Sequence, residues 1–277
     1  MKKKKINIHT KLIVVLAVVC AVVWLFPYIY LISSSLKPGT EVVSIPAKFF
    51  PTVFSVENFT GLFKRMPVFD YILNSFIVAI SSTLIAVIFG ALSSYAIQRS
   101  GAKIATFLII IVLCLKMIPA SSIAVPIYEL ITKLGLYDTR IALIIVYAAI
   151  NMPFVMWVML GFYEGIPTSI DEAACVDGAS SLQTFIRIIL PICKPGLATA
   201  FLFTLFLSWN EFLLSLLLTS TEAKTFTVGL SEFLSAYSMD LGPMCAGALI
   251  FSLPVMILSI AAQRFIVQGL TAGSVKS

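Results

Sequence analysis

Residues 141–162 read IALIIVYAAINMPFVMWVMLGF, a continuous run without one charged side chain. An α-helix needs about 20 such residues to cross the hydrocarbon core of a bilayer. The run does not alternate between apolar and polar residues, which excludes a strand of a membrane barrel. Comparable runs recur outward from it, at residues 12–31, 71–95, 104–127, 197–218 and 244–266. Composition agrees: the 277 residues are 60% apolar and 12% charged, and mean hydropathy is +1.04, whereas a soluble domain carries roughly 25% charged residues. The chain therefore reads as an all-α membrane protein with six transmembrane helices and no separate soluble domain.

In such a protein a net charge of +6 reports topology rather than a nucleic-acid partner, because basic residues collect at cytoplasmic ends. With the N-terminus inside, the inner side holds 11 Lys and Arg, among them Lys2 to Lys5, Arg99, Lys103, Arg187 and Lys276; the outer side holds 7, four of them in the first loop. Both termini are expected in the cytoplasm. The basic head before residues 12–31 imitates a secretory signal, but the apolar run is too long and lacks a small-residue cleavage site, so it reads as a retained first helix. Cys20, Cys114, Cys175, Cys193 and Cys245 show no metal-ligand spacing and read as small core residues. His9 is the single histidine and lies in the polar N-terminal tail.

Two polar stretches interrupt the runs. Residues 33–66 carry Pro38, Pro46 and Pro51 and read as an outer loop. Residues 165–194 are far longer than a turn between two helices needs. Ser169-Ile170-Asp171-Glu172 fits a capping box, Gly178 permits a left-handed stop, and Ser180-Ser181-Leu182-Gln183 repeats the box. Leu182, Phe185, Ile186 and Ile189 then share one helical face that Pro191 closes. The physics leaves two readings: an interfacial helix pair that anchors neighbouring spans, or a compact docking element whose small residues admit a partner's backbone.

The spacing Glu172-Ala173-Ala174, Gly178, Ile188, Leu190-Pro191 resembles the EAA loop of ABC importer permeases. Leu73-Asn74-Ser75, Leu134-Gly135-Leu136-Tyr137-Asp138-Thr139, Asp177-Gly178-Ala179, Ser208-Trp209-Asn210-Glu211-Phe212 and the tail Gly269-Leu270-Thr271-Ala272-Gly273 extend the likeness to the carbohydrate branch and its MalG-like, maltose-type subunits, over residues 24–276. The resemblance implies the MetI-like type I permease fold with a cytoplasmic EAA coupling-helix loop. It divides the chain into residues 1–68 (N-tail, first helix, outer loop), a permease core at 69–266 containing the loop at 165–194, and a cytoplasmic tail at 267–277. It implies that Glu172, Ala173, Ala174, Asp177, Gly178 and Ala179 dock on an ATPase, and that Gly269, Leu270, Gly273 and Lys276 reach the ATPase interface. The implied partners are a second homologous permease, two ATPase subunits carrying ATP and Mg, an extracytoplasmic sugar-binding protein, a sugar and membrane lipid. This chain itself is expected to bind no cofactor or metal.

Polar residues inside the spans are costly and need a reason. Trp209, Asn210 and Glu211 lie in the fifth run, either tying helices together or lining the translocation path, with Trp209 as a candidate wall for sugar. Asn74, with Ser75, opens the second run as helix glue or path lining. Lys116 lies about half-way through the third run, at a position usually uncharged in the family. It is expected to donate to carbonyls freed by Pro119 and Pro126 or to pair with Glu211 or Glu129, and the same prolines make this span the one expected to bend. The chain lacks the GxxxxGK[ST] phosphate loop, so ATP hydrolysis falls to another polypeptide, and it lacks the parts of a membrane enzyme. An ion-coupled secondary transporter acting without an ATPase is the alternative, disfavoured by the absence of a visible inverted repeat.

Overall fold

The computed structural model describes residues 8–234 and 240–272 and is all-helical. In chain order the elements are α1 (Ile8–Ser35), the single turn α2 (Gly39–Val42), α3 (Glu57–Arg65), α4 (Val68–Arg99), α5 (Ala102–Met117), α6 (Ala120–Lys133) and α7 (Arg140–Glu164). There follow α8 (Ser169–Val176), α9 (Ser181–Thr184), a π-helical turn (Phe185–Ile189), α10 (Leu190–Ile192), α11 (Lys194–Trp209), α12 (Leu213–Leu218), α13 (Phe226–Ser231) and α14 (Leu241–Ala272). α1, α4, α7 and α14 are each long and apolar enough to cross a membrane. Two bent pairs raise the number to six if each is one span: α5 with α6 at 89°, and residues 181–192 with α11 at 82°.

The third run bends where it was expected to. The break falls at Ile118-Pro119, where Ile118 is extended (ψ 120°) and Pro119 caps α6, because the proline ring disfavours helical geometry in the residue before it. Pro126 makes no break and lies inside α6. The fifth run departs from expectation: α11 ends at Trp209 and α12 begins at Leu213, so Asn210 and Glu211 lie at an interruption rather than inside a continuous helix. The cysteines are all free, and Cys20, Cys114 and Cys175 are exposed rather than in a core. His9 belongs to the first turn of α1.

The described residues within 1–68 and 230–253 form one compact unit, and those within 69–229 and 254–277 form another. In the first, the segment after α1 is folded back by side chains. Asn58, 2% exposed, donates to the carbonyls of Ser34, Ser35 and Lys37 at 3.4, 3.1 and 2.7 Å. Lys37 is buried, donates to the carbonyl of Lys48 at 2.6 Å and lies 4.8 Å over the Tyr30 ring. Glu41 is held below the usual carboxylate range chiefly by the hydroxyl and amide of Thr52, with Lys48 beside it.

In the second unit α7 is the central element, packed against α5, α11 and α12. Its start is capped by Thr139, whose Oγ1 accepts from the amide of Ala142 at 3.2 Å. One core joins Tyr95, Met159, Tyr163, Phe185, Ile189 and Cys193; another joins Val78, Ile131, Leu143, Tyr147, Leu214 and Leu218. α6 ends in a Schellman turn. Gly135 (φ 69°) and Leu136 donate to Thr132 and Ile131, each at 3.0 Å, the pairing that satisfies the last carbonyls of a helix.

Candidate functional site

The element predicted to dock is α8. Its first turn corrects the sequence reading, because the capping box at Ser169 does not form. The N-cap is Thr168, in helical geometry and without a side-chain cap. Ser169 is thus already helical, and the amide of Glu172 is satisfied by the carbonyl of Thr168 at 3.1 Å. The second box does form: the amide of Gln183 donates to Ser180 Oγ at 3.3 Å, and that of Ser180 to Gln183 Oε1 at 2.9 Å. Between them, α8 ends in a full Schellman turn. Gly178 donates to Cys175 at 3.0 Å and Ala179 to Ala174 at 2.9 Å, with Gly178 at φ 82°. A side chain at Gly178 would meet nothing within 4 Å, so it is the backbone that requires glycine there.

Asp171 is the anchor. It pairs with Arg99 at 2.7 Å, both side chains under one-fifth exposed, and accepts from the hydroxyl of Tyr95. Arg99 also reaches the carbonyl of Ile166 at 3.4 Å. Tyr95 in turn packs on Tyr163 and Phe185, with ring centroids 5.8 and 4.9 Å away, and the hydroxyl of Tyr163 donates to the carbonyl of Ala91 at 3.1 Å. α8 is therefore tied to the last turn of α4 by charge and to α7 and the π-helical turn through aromatic packing. Sequence reading missed Tyr95 and Arg99; an aromatic and a cation four residues apart at the end of a span were the available signal.

The six proposed docking residues divide by exposure. Glu172, Ala173, Asp177 and Gly178 are exposed, Ala179 is half-buried, and Ala174 is buried beneath them. Beside them Val176 is 88% exposed. The expected face of Leu182, Phe185, Ile186 and Ile189 is split. Phe185 and Ile189 enter the core while Leu182 and Ile186 stay exposed, because the π-helical turn changes the angular step between residues. Pro191 closes nothing, since it lies in the first turn of α10.

The intramembrane candidates do not form one cluster. Trp209 is 5% exposed and lines a narrow slot with Phe76, Ile80 and Phe206. Asn210 is exposed and donates back to the carbonyl of Phe206 at 2.9 Å. Glu211 serves the start of α12: its carboxylate accepts from the amides of Leu214 and Ser215 at 2.8 and 3.1 Å and from the Tyr147 hydroxyl at 2.6 Å. An anion there is favoured by the unsatisfied amides of a helix N-terminus. One turn from Tyr147, Asn151 donates to Ser208 at 3.1 Å, and Ser82 reaches Ser208 at 3.3 Å. Tyr147 and Asn151 were also missed, although a polar pair four residues apart in an apolar run marks one helix face.

The pairing of Lys116 with Glu211 or Glu129 does not occur. The oxygens of Glu211 are already taken, and Glu129 lies beyond the bend, beside Lys133 at 3.7 Å. Among the described residues Lys116 donates to no carbonyl either; its ammonium lies 5.5 Å from the centroid of the Phe154 ring.

Asn74 is 1% exposed and acts as a clamp. It donates to the carbonyls of Glu222 and Lys224 at 3.0 and 2.9 Å and accepts from Arg140 Nε at 2.7 Å. Ser75 Oγ accepts from the amide of Phe226 at 2.9 Å. The same loop is gripped by Asp138, whose carboxylate accepts six hydrogen bonds from residues 220–223 at 2.8–3.1 Å. Burial opposes ionisation of Asp138, but the four amide donors outweigh it and hold the carboxyl well below its usual range. Of the tail candidates, Gly269 and Leu270 lie in α14, which extends to Ala272; Gly273 and Lys276 are outside the described residues.

Comparison with known proteins places this geometry. Residues 59–271 match the model of the family described as binding-protein-dependent transport system inner membrane component. The chain is 33% identical over 255 residues to the trehalose transport system permease protein SugB of Mycobacterium tuberculosis, covering 91% of this chain and 92% of that protein. It is 32% identical to the trehalose/maltose transport system permease protein MalG of Thermococcus litoralis, covering 96% of both. It is 29% identical to the melibiose/raffinose/stachyose import permease protein MelC of Bacillus subtilis, again covering 96% of both. Among solved structures, a bacterial ABC transporter involved in import of the acidic polysaccharide alginate superposes with a TM-score of 0.77 at 22% identity, covering 95% of this chain and 98% of that one.

Proposed function

The chain belongs to the family of binding-protein-dependent transport system inner membrane components, and from that premise we propose that it is the sugar-conducting permease subunit of an ATP-driven importer, with an oligosaccharide as substrate. It forms half of the translocation pathway in the cytoplasmic membrane, with both termini in the cytoplasm. A second, homologous permease completes the pathway, two ATPase subunits carry the ATP and Mg, and an extracytoplasmic binding protein delivers the sugar. The chain catalyses no reaction of its own.

The observation that carries this reading is the mounting of α8. A short helix with an exposed surface of Glu172, Ala173, Val176, Asp177 and Gly178 is fixed at its base by the Asp171–Arg99 ion pair and the Tyr95–Tyr163–Phe185 rings. A partner that pushes α8 therefore pushes α4, α7 and the segment before α11, since packed side chains transmit displacement rather than absorb it. Closure of the ATPase dimer on ATP binding would move α8, shift these helices and open the pathway outward; hydrolysis would let it return. Gly269, Leu270, Gly273 and Lys276 add a second contact with the ATPases.

The test is uptake in vesicles carrying both permeases. Accumulation of oligosaccharide against its gradient should require the ATPase, ATP and the loaded binding protein together, and should cease when any one is omitted. Uptake by this chain without an ATPase, driven by an ion gradient, would support the secondary-transporter alternative and overturn the proposal.

A further inference from the structure

Lys116 is the next-to-last residue of α5, thirteen residues beyond Lys103. Counted along the helix axis from Lys103 that is about 20 Å, against a hydrocarbon core about 30 Å thick. The ammonium has no acid within ion-pairing distance among the described residues, which include all 13 Asp and Glu of the chain. The side chain is exposed on the isolated chain, and its ammonium lies 5.5 Å from the centroid of the Phe154 ring. A lone cation at this depth is tolerated where it faces a watery path or a complementary anion, not lipid.

Phe154 also lines a cavity of about 610 Å³ between α7 and α11, together with Trp157, Phe162 and Phe203. Aromatic faces are surfaces on which sugar rings pack. An acidic side chain of the second permease would account for the cation alone; a sugar carrying a negative group accounts for the cation and the aromatic wall beside it. We propose that Lys116 and the Phe154 wall form a subsite for an acidic saccharide, with the ammonium taking the carboxylate or sulfonate of a sugar whose ring lies on the aromatic residues. This rests on the sugar-permease reading and narrows it to anionic substrates.

The probe is a matched panel of oligogalacturonides and neutral malto-oligosaccharides of equal length, with uptake measured in vesicles carrying the full complex and its binding protein. Wild type should import the oligogalacturonides. Lys116→Met should lower the ratio of acidic to neutral uptake at least tenfold, and Lys116→Arg, which keeps the charge, should restore most of it. An unchanged ratio in Lys116→Met, with both uptakes falling together, would assign Lys116 to an ion pair with the second permease and overturn the inference. Import of neutral saccharides alone by wild type would overturn it too while leaving the sugar-permease reading intact. Import of neither kind would overturn the inference, while the sugar-permease reading stands or falls on the ATPase-dependent uptake described above.

Discussion

Gly178→Val should abolish binding-protein-stimulated ATP hydrolysis and uptake while leaving membrane insertion intact, and Gly178→Asn should keep most of both activities. Gly178 sits at φ 82°, where an L-residue pays roughly 1–2 kcal/mol and a β-branched one more, whereas asparagine is accepted at this position of a helix stop. The space around it is open, so the two variants differ in backbone conformation and not in collision with a neighbour. Relief of the strain in the valine variant breaks the Gly178–Cys175 and Ala179–Ala174 hydrogen bonds. The surface of α8 is then displaced while Asp171 still holds its base. Equal activity of the two variants would show that the shape of this turn has no part in coupling.

The largest effect on stability is expected at Asp138. Asp138→Asn leaves an αL backbone (φ 58°) that asparagine tolerates. It also turns an amide NH2 toward the four donors that Oδ2 now accepts, from Ser220 Oγ, Thr221 and Glu222. Because these donors are partly exposed, water replaces some of the lost bonds, and a loss of about 2–3 kcal/mol is expected. That corresponds to a fall of about 5–10 °C in the unfolding midpoint of the purified complex. The pH dependence follows from the lowered carboxyl. Its stabilisation is complete above the unfolded value near 3.9 and is lost as pH falls through the folded value below it. The gap between wild type and Asp138→Asn should therefore be constant from about pH 5 to pH 8 and narrow only in acid. A gap that opened or closed near neutrality would mean that another group carries the effect.

Local rules served the sequence reading where one residue decides the geometry. Gly178 announced its positive φ, Ser180 and Gln183 their reciprocal cap, and Pro119 the bend, because each acts on the backbone within a few residues. The same rules failed at Ser169, where the helix starts one residue early and no side chain caps it, and no local rule could join Asp171 to Arg99, 72 positions away in sequence. Hydropathy joined α11 to α12 because apolar residues flank Asn210 and Glu211 on both sides; a sum over a window does not register that a carboxylate is capping a new helix. The expected Lys116–Glu211 pair fails because the Glu211 carboxylate is already taken by Tyr147, 64 positions away, and by the amides of Leu214 and Ser215. Asp138 belongs to the motif Leu134–Thr139, but its partners at residues 220–223 become visible only once the loops meet.

The central claim, that α8 is the surface through which an ATPase drives this permease, is open to one direct measurement. Cys175 is native, exposed and on α8. With Cys20, Cys114, Cys193 and Cys245 replaced, a short bifunctional maleimide should join Cys175 to a cysteine placed on the ATPase surface, in high yield in the assembled complex, and the cross-link should arrest sugar-stimulated ATP hydrolysis. Labelling of Cys175 by an impermeant reagent from outside intact cells, or full coupled activity with α8 cross-linked, would contradict the account.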